Sequence, residues 1–593
     1  MKTEQKKQNY LGQMARSFKK YYVPFAIAVV LLIVAVIFTI LVPGSVQKLT
    51  NLVNPVGKTP AADGTYAVDL TAVGVAGIRL AIYIAISFCA NFIAGFILNT
   101  IIQKYSRDLR EQISQKINKL PLNFYDTTQI GDILSVITND VDTLGTSLQN
   151  SVNLLIQSGV QLVGVLIAMY LSNWQMATTV LISLPVMLFI ILLTFRFAVP
   201  LFDKTQHVLG AVNAVVEENY SGQLVIKAFN AESRKEKEFA AQNKDLGSNL
   251  YKSQAIGGLV EPAMNLVSYL TYAAVLIVGG VLLAGGKIAE MGVITGFLIY
   301  ISLFQEPLLQ IGQASSTIQL GTAACNRVFE FLNNEEIVDD SEKPNLMGGA
   351  KLKGAVEFKD VSFGYDPSKM TIKHFSQSIQ PGMKVAIIGP TGAGKTTLIN
   401  LLMRFYEVSD GDILIDGVSI KDMSRAELRS LFGMILQETW VINGSLRENV
   451  VYNLQGVEDA TLNKILEETN LAHYVSTLPD GIDTVIQKES ALSAGQKQLV
   501  TIARAMAENA PMFILDEATS NVDTRTEILI QNAMDAMTKG RTSFVIAHRL
   551  STIKNADLII VMKDGNVVET GNHDSLMELG GLYSEIYNSQ FAS

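Results

Sequence analysis

Hydrophobic residues in this chain fall into two regimes. Up to about residue 311 they form long unbroken runs, and beyond residue 354 they form short runs that alternate with helical patterns. The first long run, Tyr22 to Val42, is almost wholly apolar, and a helix needs ~20 such residues to cross a bilayer. Five more runs, at about 74–101, 147–172, 174–198, 257–285 and 289–311, predict a bundle of six membrane-spanning helices. The segments 102–146 and 199–256 between them are long, charged and rich in helix formers. They predict helices that carry the spans well beyond the membrane. The helical pattern after the sixth run reaches about Asn333, and a polar stretch with Pro344, Gly348 and Gly349 follows. The expected division is a polar tail over 1–21, an all-α transmembrane domain over 22–333, a linker over 334–353 and an α/β domain over 354–593.

Composition supports a membrane part: 49% of the residues are hydrophobic, 17% are charged and the mean hydropathy is +0.27. Charge then orients the bundle. The long segments carry Lys104, Arg107, Arg110, Lys116 and Lys119, and then Lys204, Lys227, Arg234, Lys235, Lys237, Lys244 and Lys252, whereas the opposite loops carry only Lys48, Lys58 and Lys287. Basic loops stay on the cytoplasmic side, so the N-terminus and the α/β domain are expected inside the cell membrane. A signal peptide is the rival reading of the first run, but its length and the lack of a small-residue cleavage site favour a span. The net charge of −8 with no long basic tract argues against nucleic acid. Cys89 and Cys325 offer neither a disulfide framework nor metal-ligand spacing and are read as packing residues. Ionisable side chains inside the runs are Arg79, near an outer end, Glu261 and Glu306. Glu306 is the deepest, and such a residue is expected to face a cavity or a partner.

The chemistry lies in the α/β domain. Gly389-Pro390-Thr391-Gly392-Ala393-Gly394-Lys395-Thr396 fits the phosphate-binding P-loop pattern, with Thr397 opening the next helix. A buried strand, Lys384–Ile388, precedes it and a helix, Thr397–Met403, follows it. Backbone N–H groups there cradle phosphates, Lys395 reaches the terminal ones, and the Thr396 hydroxyl suits Mg²⁺. Met512–Leu515 reads as a second buried strand that ends in Asp516 and Glu517. A first carboxylate at such a strand end holds Mg²⁺, and a second orients or deprotonates the attacking water. The chain is therefore expected to bind a nucleoside triphosphate with Mg²⁺ and to hydrolyse it.

Around these two motifs, Leu492-Ser493-Ala494-Gly495-Gln496 resembles the signature of ATP-binding cassette (ABC) transporters. Gln437 resembles their Q-loop residue, Asp523 their D-loop aspartate, His548 their switch histidine and Tyr365 the aromatic that stacks on adenine. All seven elements occur in the family's order, and six spans followed by one cassette resembles an exporter half-transporter. The resemblance implies two cassettes closing head-to-tail around two ATP molecules. Ser493, Gly495 and Gln496 would contact the partner's ATP, Glu517 would activate water, His548 would touch the γ-phosphate, and Gln437 would link Mg²⁺ and water to the membrane part. Phe124-Tyr125-Asp126 and Glu218–Gly222 resemble the inner loops that touch the cassettes.

The signature departs from Leu-Ser-Gly-Gly-Gln at Ala494, and Gln487–Ala491 lacks the glycines common before it. An intact Glu517 beside an altered signature resembles one subunit of bacterial heterodimeric exporters. A heterodimer with a second half-transporter is the favoured expectation and a homodimer the alternative. The expected activity is ATP-driven export of amphipathic, drug-like small molecules. A lipid flippase, a peptide exporter or an ATP-gated non-pumping protein are the other readings.

Overall fold

The computed structural model describes residues 9–53, 68–288, 290–347, 352–366, 368–436, 439–486, 492–516, 524–547 and 553–591. The chain divides into two compact units: residues 1–118 with 130–334, and residues 119–129 with 335–593.

The first unit is all helix. A short α1 (Tyr10–Ser17) leads to α2 (Tyr22–Val53), α3 (Leu70–Ile117), α4 (Leu122–Thr127), α5 (Ile130–Ser135), α6 (Val141–Ser172), α7 (Trp174–Ser221), α8 (Gln223–Ala228), α9 (Glu232–Gly257), α10 (Val260–Ala284) and α11 (Gly292–Leu332), of which α4 belongs to the second unit. Among the described residues, five helical stretches are long and apolar enough to cross a membrane, and the shorter apolar segment Gly292–Leu308 opens α11. Each of the six expected runs thus falls mainly in a helix, although the fifth crosses the break between α9 and α10 and the sixth starts ahead of α11. The expected extensions are also present: α3 runs 48 residues and α7 another 48, both far past their apolar halves. Caps mark where helices begin. Asp69 accepts hydrogen bonds from the Thr71 and Ala72 N–H groups, both at 3.0 Å. Asn173, the single residue between α6 and α7, accepts from Met176 N–H at 3.0 Å. Side chains from α2, α6, α7, α10 and α11 share one apolar core. Cys325 is buried as expected, whereas Cys89 is exposed on α3; an apolar solvent rewards such an outward position as packing would.

The second unit is α/β. Its strands are β1 (Val356–Phe363), β2 (Ile372–Ile379), β3 (Lys384–Ile388), β4 (Asp410–Ile415), β5 (Val418–Ser419), β6 (Phe432–Ile435), β7 (Gly444–Ser445), β8 (Val485–Ile486), β9 (Met512–Asp516), β10 (Thr542–Ile546), β11 (Leu558–Lys563) and β12 (Asn566–Gly571). A six-stranded sheet has the order β12-β11-β3-β10-β9-β6, parallel except at its β12 edge. A four-stranded antiparallel sheet, β2-β1-β4-β5, lies beside it. Parallel strands are buried on both faces, and side chains alternate between them. Accordingly Ala386, Leu515, Val545 and Val561 enter one core while Val385, Ile387, Ile514 and Phe544 enter the other, which also takes the inner face of the antiparallel sheet.

Candidate ATP site

The parallel register brings the predicted motifs to one edge. Ile546 on β10 is level with Asp516 on β9 and with Ile387 on β3. The P-loop leaves β3 directly after Ile388, so Asp516 and the loop sit at the same carboxyl end of the sheet, one strand apart. Ligands of open parallel sheets bind at such an edge.

The loop itself is built for phosphate. Gly389 has φ +151°, and a Cβ there would come within 2.2 Å of the Met562 carbonyl oxygen. Gly394 has φ +104°, with Ile372 Cδ1 only 2.7 Å from where a Cβ would stand. Both positions exclude any side chain. Gly394 is the N-cap of α12 (Lys395–Leu402), whose first N–H groups and dipole point into the loop. Lys395 Nζ donates to the Gly389 carbonyl at 2.8 Å and the Pro390 carbonyl at 3.2 Å. Burial pushes its ammonium below the ordinary lysine range, and the Asp516 carboxylate partly opposes that shift. Loop N–H groups beside a half-buried ammonium form the kind of donor set that a polyphosphate requires, and the Thr396 hydroxyl and Asp516 carboxylate are oxygen groups of the kind that could hold Mg²⁺.

Tyr365 follows β1 and is 45% exposed. Its hydroxyl is 3.2 Å from Thr397 Oγ1 on α12. Its ring stands edge-on to Phe363 and Tyr406, with both centroids at 5.1 Å. The Tyr406 hydroxyl donates in turn to the Asp126 carboxylate on α4. That contact was not foreseen from sequence, although α4 is the Phe124-Tyr125-Asp126 segment that the family resemblance singled out.

Ser493 caps the helix Ala494–Glu508. Its Oγ accepts from Gln496 N–H at 3.2 Å, and Gln496 Oε1 accepts from Ser493 N–H at 2.9 Å. Among the described residues no acceptor pairs with the Ser493 hydroxyl proton or the Gln496 amide N–H₂. Ala494 is the first residue of this helix, so it has ordinary helical backbone and its methyl introduces no strain. Gly495 is buried in the first turn. Gln437, Glu517, Asp523 and His548 lie outside the described residues, as does Gln487–Ala491.

Families and relatives agree with this geometry. The ABC transporter transmembrane region family matches residues 25–308, and the ABC transporter family matches residues 372–520. The chain belongs to the ABC transporters. It is 41% identical over 513 residues to the "Fatty acid ABC transporter ATP-binding/permease protein" of Mycobacterium tuberculosis, covering 86% of this chain and 80% of that protein. It is 34% identical over 496 residues to the "ATP-dependent lipid A-core flippase" of Syntrophus aciditrophicus, covering 83% and 82%. The solved structure of a bacterial Atm1-family ABC exporter with ATP bound superposes with a TM-score of 0.73 at 27% identity, covering 95% of this chain and 98% of that one. This ABC transporter is thus a multi-pass membrane exporter of the half-transporter layout and a transport ATPase, with a helical membrane domain ahead of an α/β nucleotide-binding domain.

The membrane residues flagged from sequence separate. Arg79 and Glu261 are exposed on their helices, and no described side chain pairs with either. Glu306 is held: Gln310 Nε2 donates to its Oε1 at 3.2 Å and Gln161 Nε2 to its Oε2 at 3.4 Å. Sequence reasoning missed the rest of this polar group. The available signal was the carboxamide series Asn150, Asn153, Gln157 and Gln161, spaced for one helix face.

Proposed function

We propose that this ABC transporter uses ATP hydrolysis to move amphipathic small molecules outward across the cell membrane by alternating access. The observation that carries the proposal is the shared sheet edge of P-loop and Asp516 in a chain that also supplies a helical membrane domain. In this reading Lys395 and the loop N–H groups, from Gly389 to Thr397, bind the β- and γ-phosphates, and Tyr365 stacks on adenine. Mg²⁺, held by Thr396, Asp516 and Gln437, offsets phosphate charge. Glu517 orients and deprotonates water, His548 contacts the γ-phosphate, and Asp523 lies at the meeting of two cassettes. Ser493, Gly495 and Gln496 donate to the nucleotide bound by the partner half. The functional division runs from membrane domain to cassette across the linker 334–353.

The favoured partner is a different half-transporter. Glu517 would then serve the competent site and Ala494 would lie at the degenerate one. The names of the two curated relatives keep a lipid substrate as the second reading. The testing experiment compares ATPase turnover of this chain alone in lipid with that of Glu517→Gln. Little turnover alone, rescued by a co-expressed half-transporter and abolished again by Glu517→Gln, supports the heterodimer. Vigorous turnover of the chain alone, abolished by Glu517→Gln, means two identical halves suffice. Turnover that survives Glu517→Gln overturns the catalytic assignment. Loss of amphiphilic dye efflux in Glu517→Gln cells supports the pump, and unchanged efflux removes it.

A further inference from the structure

A polar seam runs between α6 and α11 inside the membrane unit. On α6 it comprises Asn150, Asn153, Gln157 and Gln161; on α11 it comprises Glu306, Gln310 and Thr317. Asn150 to Gln161 is eleven residues of helix, or ~16 Å of rise, about half of a bilayer's hydrocarbon thickness. Asn150 stands near the cytoplasmic start of its apolar run and Thr317 just past the cytoplasmic end of its own, and Gln161 and Glu306 stand deepest.

The seam borders a cavity of 280 Å³, lined by Asn150, Asn153, Gln157, Gln310 and Thr317 among others. Gln157 also lines a smaller cavity of 100 Å³ on the other side, with Thr39, Ser87 and Asn91. Polar side chains between membrane helices often serve only as interhelical glue. Part of this seam does so: Ser158 pairs with Gln310 at 2.9 Å, and Gln161 donates to the Leu303 carbonyl at 3.0 Å. The remainder is not used up in this way. Among the described residues Asn153 Oδ1 is buried with no hydrogen-bond partner, and Glu306 keeps an exposed carboxylate.

The charge of the seam is one-sided. No Lys or Arg occurs on α6, and the single one on α11, Arg327, is engaged by Asp140 at 2.8 Å. Glu306 is the only ionisable group between Asn150 and Gln161 on one helix and between Leu303 and Thr317 on the other. The two amide donors nearest it already point at its carboxylate. The seam carries one carboxylate and no cation, and the Asn153 oxygen adds an unpaired acceptor to amides that can turn either end to a ligand; this set suits a head group that brings N–H donors and positive charge and disfavours a carboxylate.

We propose that this seam is the site where the transporter takes up the head group of an amphiphile bearing an ammonium, drawn from the cytoplasmic side, with the alkyl part against the apolar walls. The inference rests on the exporter reading above and narrows its substrate class. It separates this chain from its relative named for fatty acids, whose cargo would present the wrong charge to Glu306.

The test is equilibrium binding to the full chain in lipid nanodiscs without nucleotide, read by fluorescence anisotropy. The probes are rhodamine 6G, a cationic amphiphile, and a dye-labelled dodecanoate. Rhodamine 6G should bind saturably, and Glu306→Gln, which keeps the side-chain shape, should weaken it about tenfold. Glu306→Asp should restore most of the affinity, and Asn153→Leu should weaken it severalfold. Unchanged rhodamine 6G affinity in Glu306→Gln, or dodecanoate binding as tightly, overturns the ammonium site but leaves an amphiphile exporter standing. If neither probe binds saturably and neither alters ATPase turnover of the assembled transporter, the amphiphile reading falls and this inference with it.

Discussion

The two units of this transporter hold their polar groups in opposite ways. In the cassette, polar groups are concentrated at one sheet edge and held by backbone: glycines at φ +151° and +104°, a helix N-terminus and the end of a parallel strand. In the membrane unit they are strung along two helix faces and held by one another, carboxamide to carboxylate. Backbone-built sites tolerate few residue types, because a Cβ or a missing N–H destroys them. Sites built from side chains can exchange Asn, Gln and Ser freely while keeping their character. A fixed chemical task and a changeable cargo would each be served by the matching design.

Lys395→Ala is the largest expected effect. It removes the half-buried ammonium of the loop, and ATP turnover should fall by ~10³ or more. A colorimetric phosphate assay on the assembled transporter checks this, with the fold verified by thermal unfolding. Residual turnover within tenfold of the parent would mean that the cassette does not depend on its backbone-built site as described.

The contrast also explains what the sequence disclosed. The P-loop and the strand ending at Asp516 were legible because each demands particular residues at fixed spacing: glycine where φ is positive, Lys at the start of α12, a carboxylate at a strand end; Ser493 was legible as a signature residue but not as the cap that it forms. The apolar helices of the membrane unit were legible from length and hydrophobicity alone. The polar seam was not, since Asn153 and Gln157 are unremarkable singly and gain meaning only when α6 lies beside α11. Nor was the Tyr406–Asp126 contact, which joins residues 280 positions apart. Gln437, Glu517, Asp523 and His548 rest on motif order.

In the membrane unit, Arg327→Leu should be the costliest single change at an ion pair. Asp140 is 3% exposed, and Arg327 Nε meets its Oδ2 at 2.8 Å. Removing the guanidinium strands a buried carboxylate, although Arg327 itself is half-exposed, which screens the pair. The expected loss is ~1–3 kcal/mol, read as a lower midpoint in denaturant. Asp140→Asn in the same background should recover part of it. No loss in Arg327→Leu would show that side-chain pairs in this unit are as replaceable as the seam's amides.

Tyr406→Phe should have a smaller and more selective effect. The ring stays against Tyr365, so the KM for ATP should move by less than about twofold. The hydroxyl bond to Asp126 is lost, a stability change of ~1 kcal/mol. Because α4 is joined at both ends to helices of the membrane unit, stimulation of ATPase by a transported amphiphile should fall severalfold while basal turnover holds. Equal loss of basal and stimulated turnover would make Tyr406 a packing residue and nothing more.

Ala494→Gly is the smallest change and decides how far the backbone rule extends. Ala494 occupies the first turn of its helix with ordinary backbone angles, so glycine there costs at most ~1 kcal/mol of helix stability. If Ala494 lies at a degenerate site of a heterodimer, turnover of the assembled complex should change by less than about threefold. The methyl group would then be tolerated because no tight approach of phosphate to that backbone is required. In a homodimer the same methyl would sit at both competent sites, and its removal should raise turnover if it crowds the nucleotide. A fall by orders of magnitude would fit neither arrangement. It would mean that the methyl itself is part of a working site, and that this signature has a geometry in which alanine at position 494 is required.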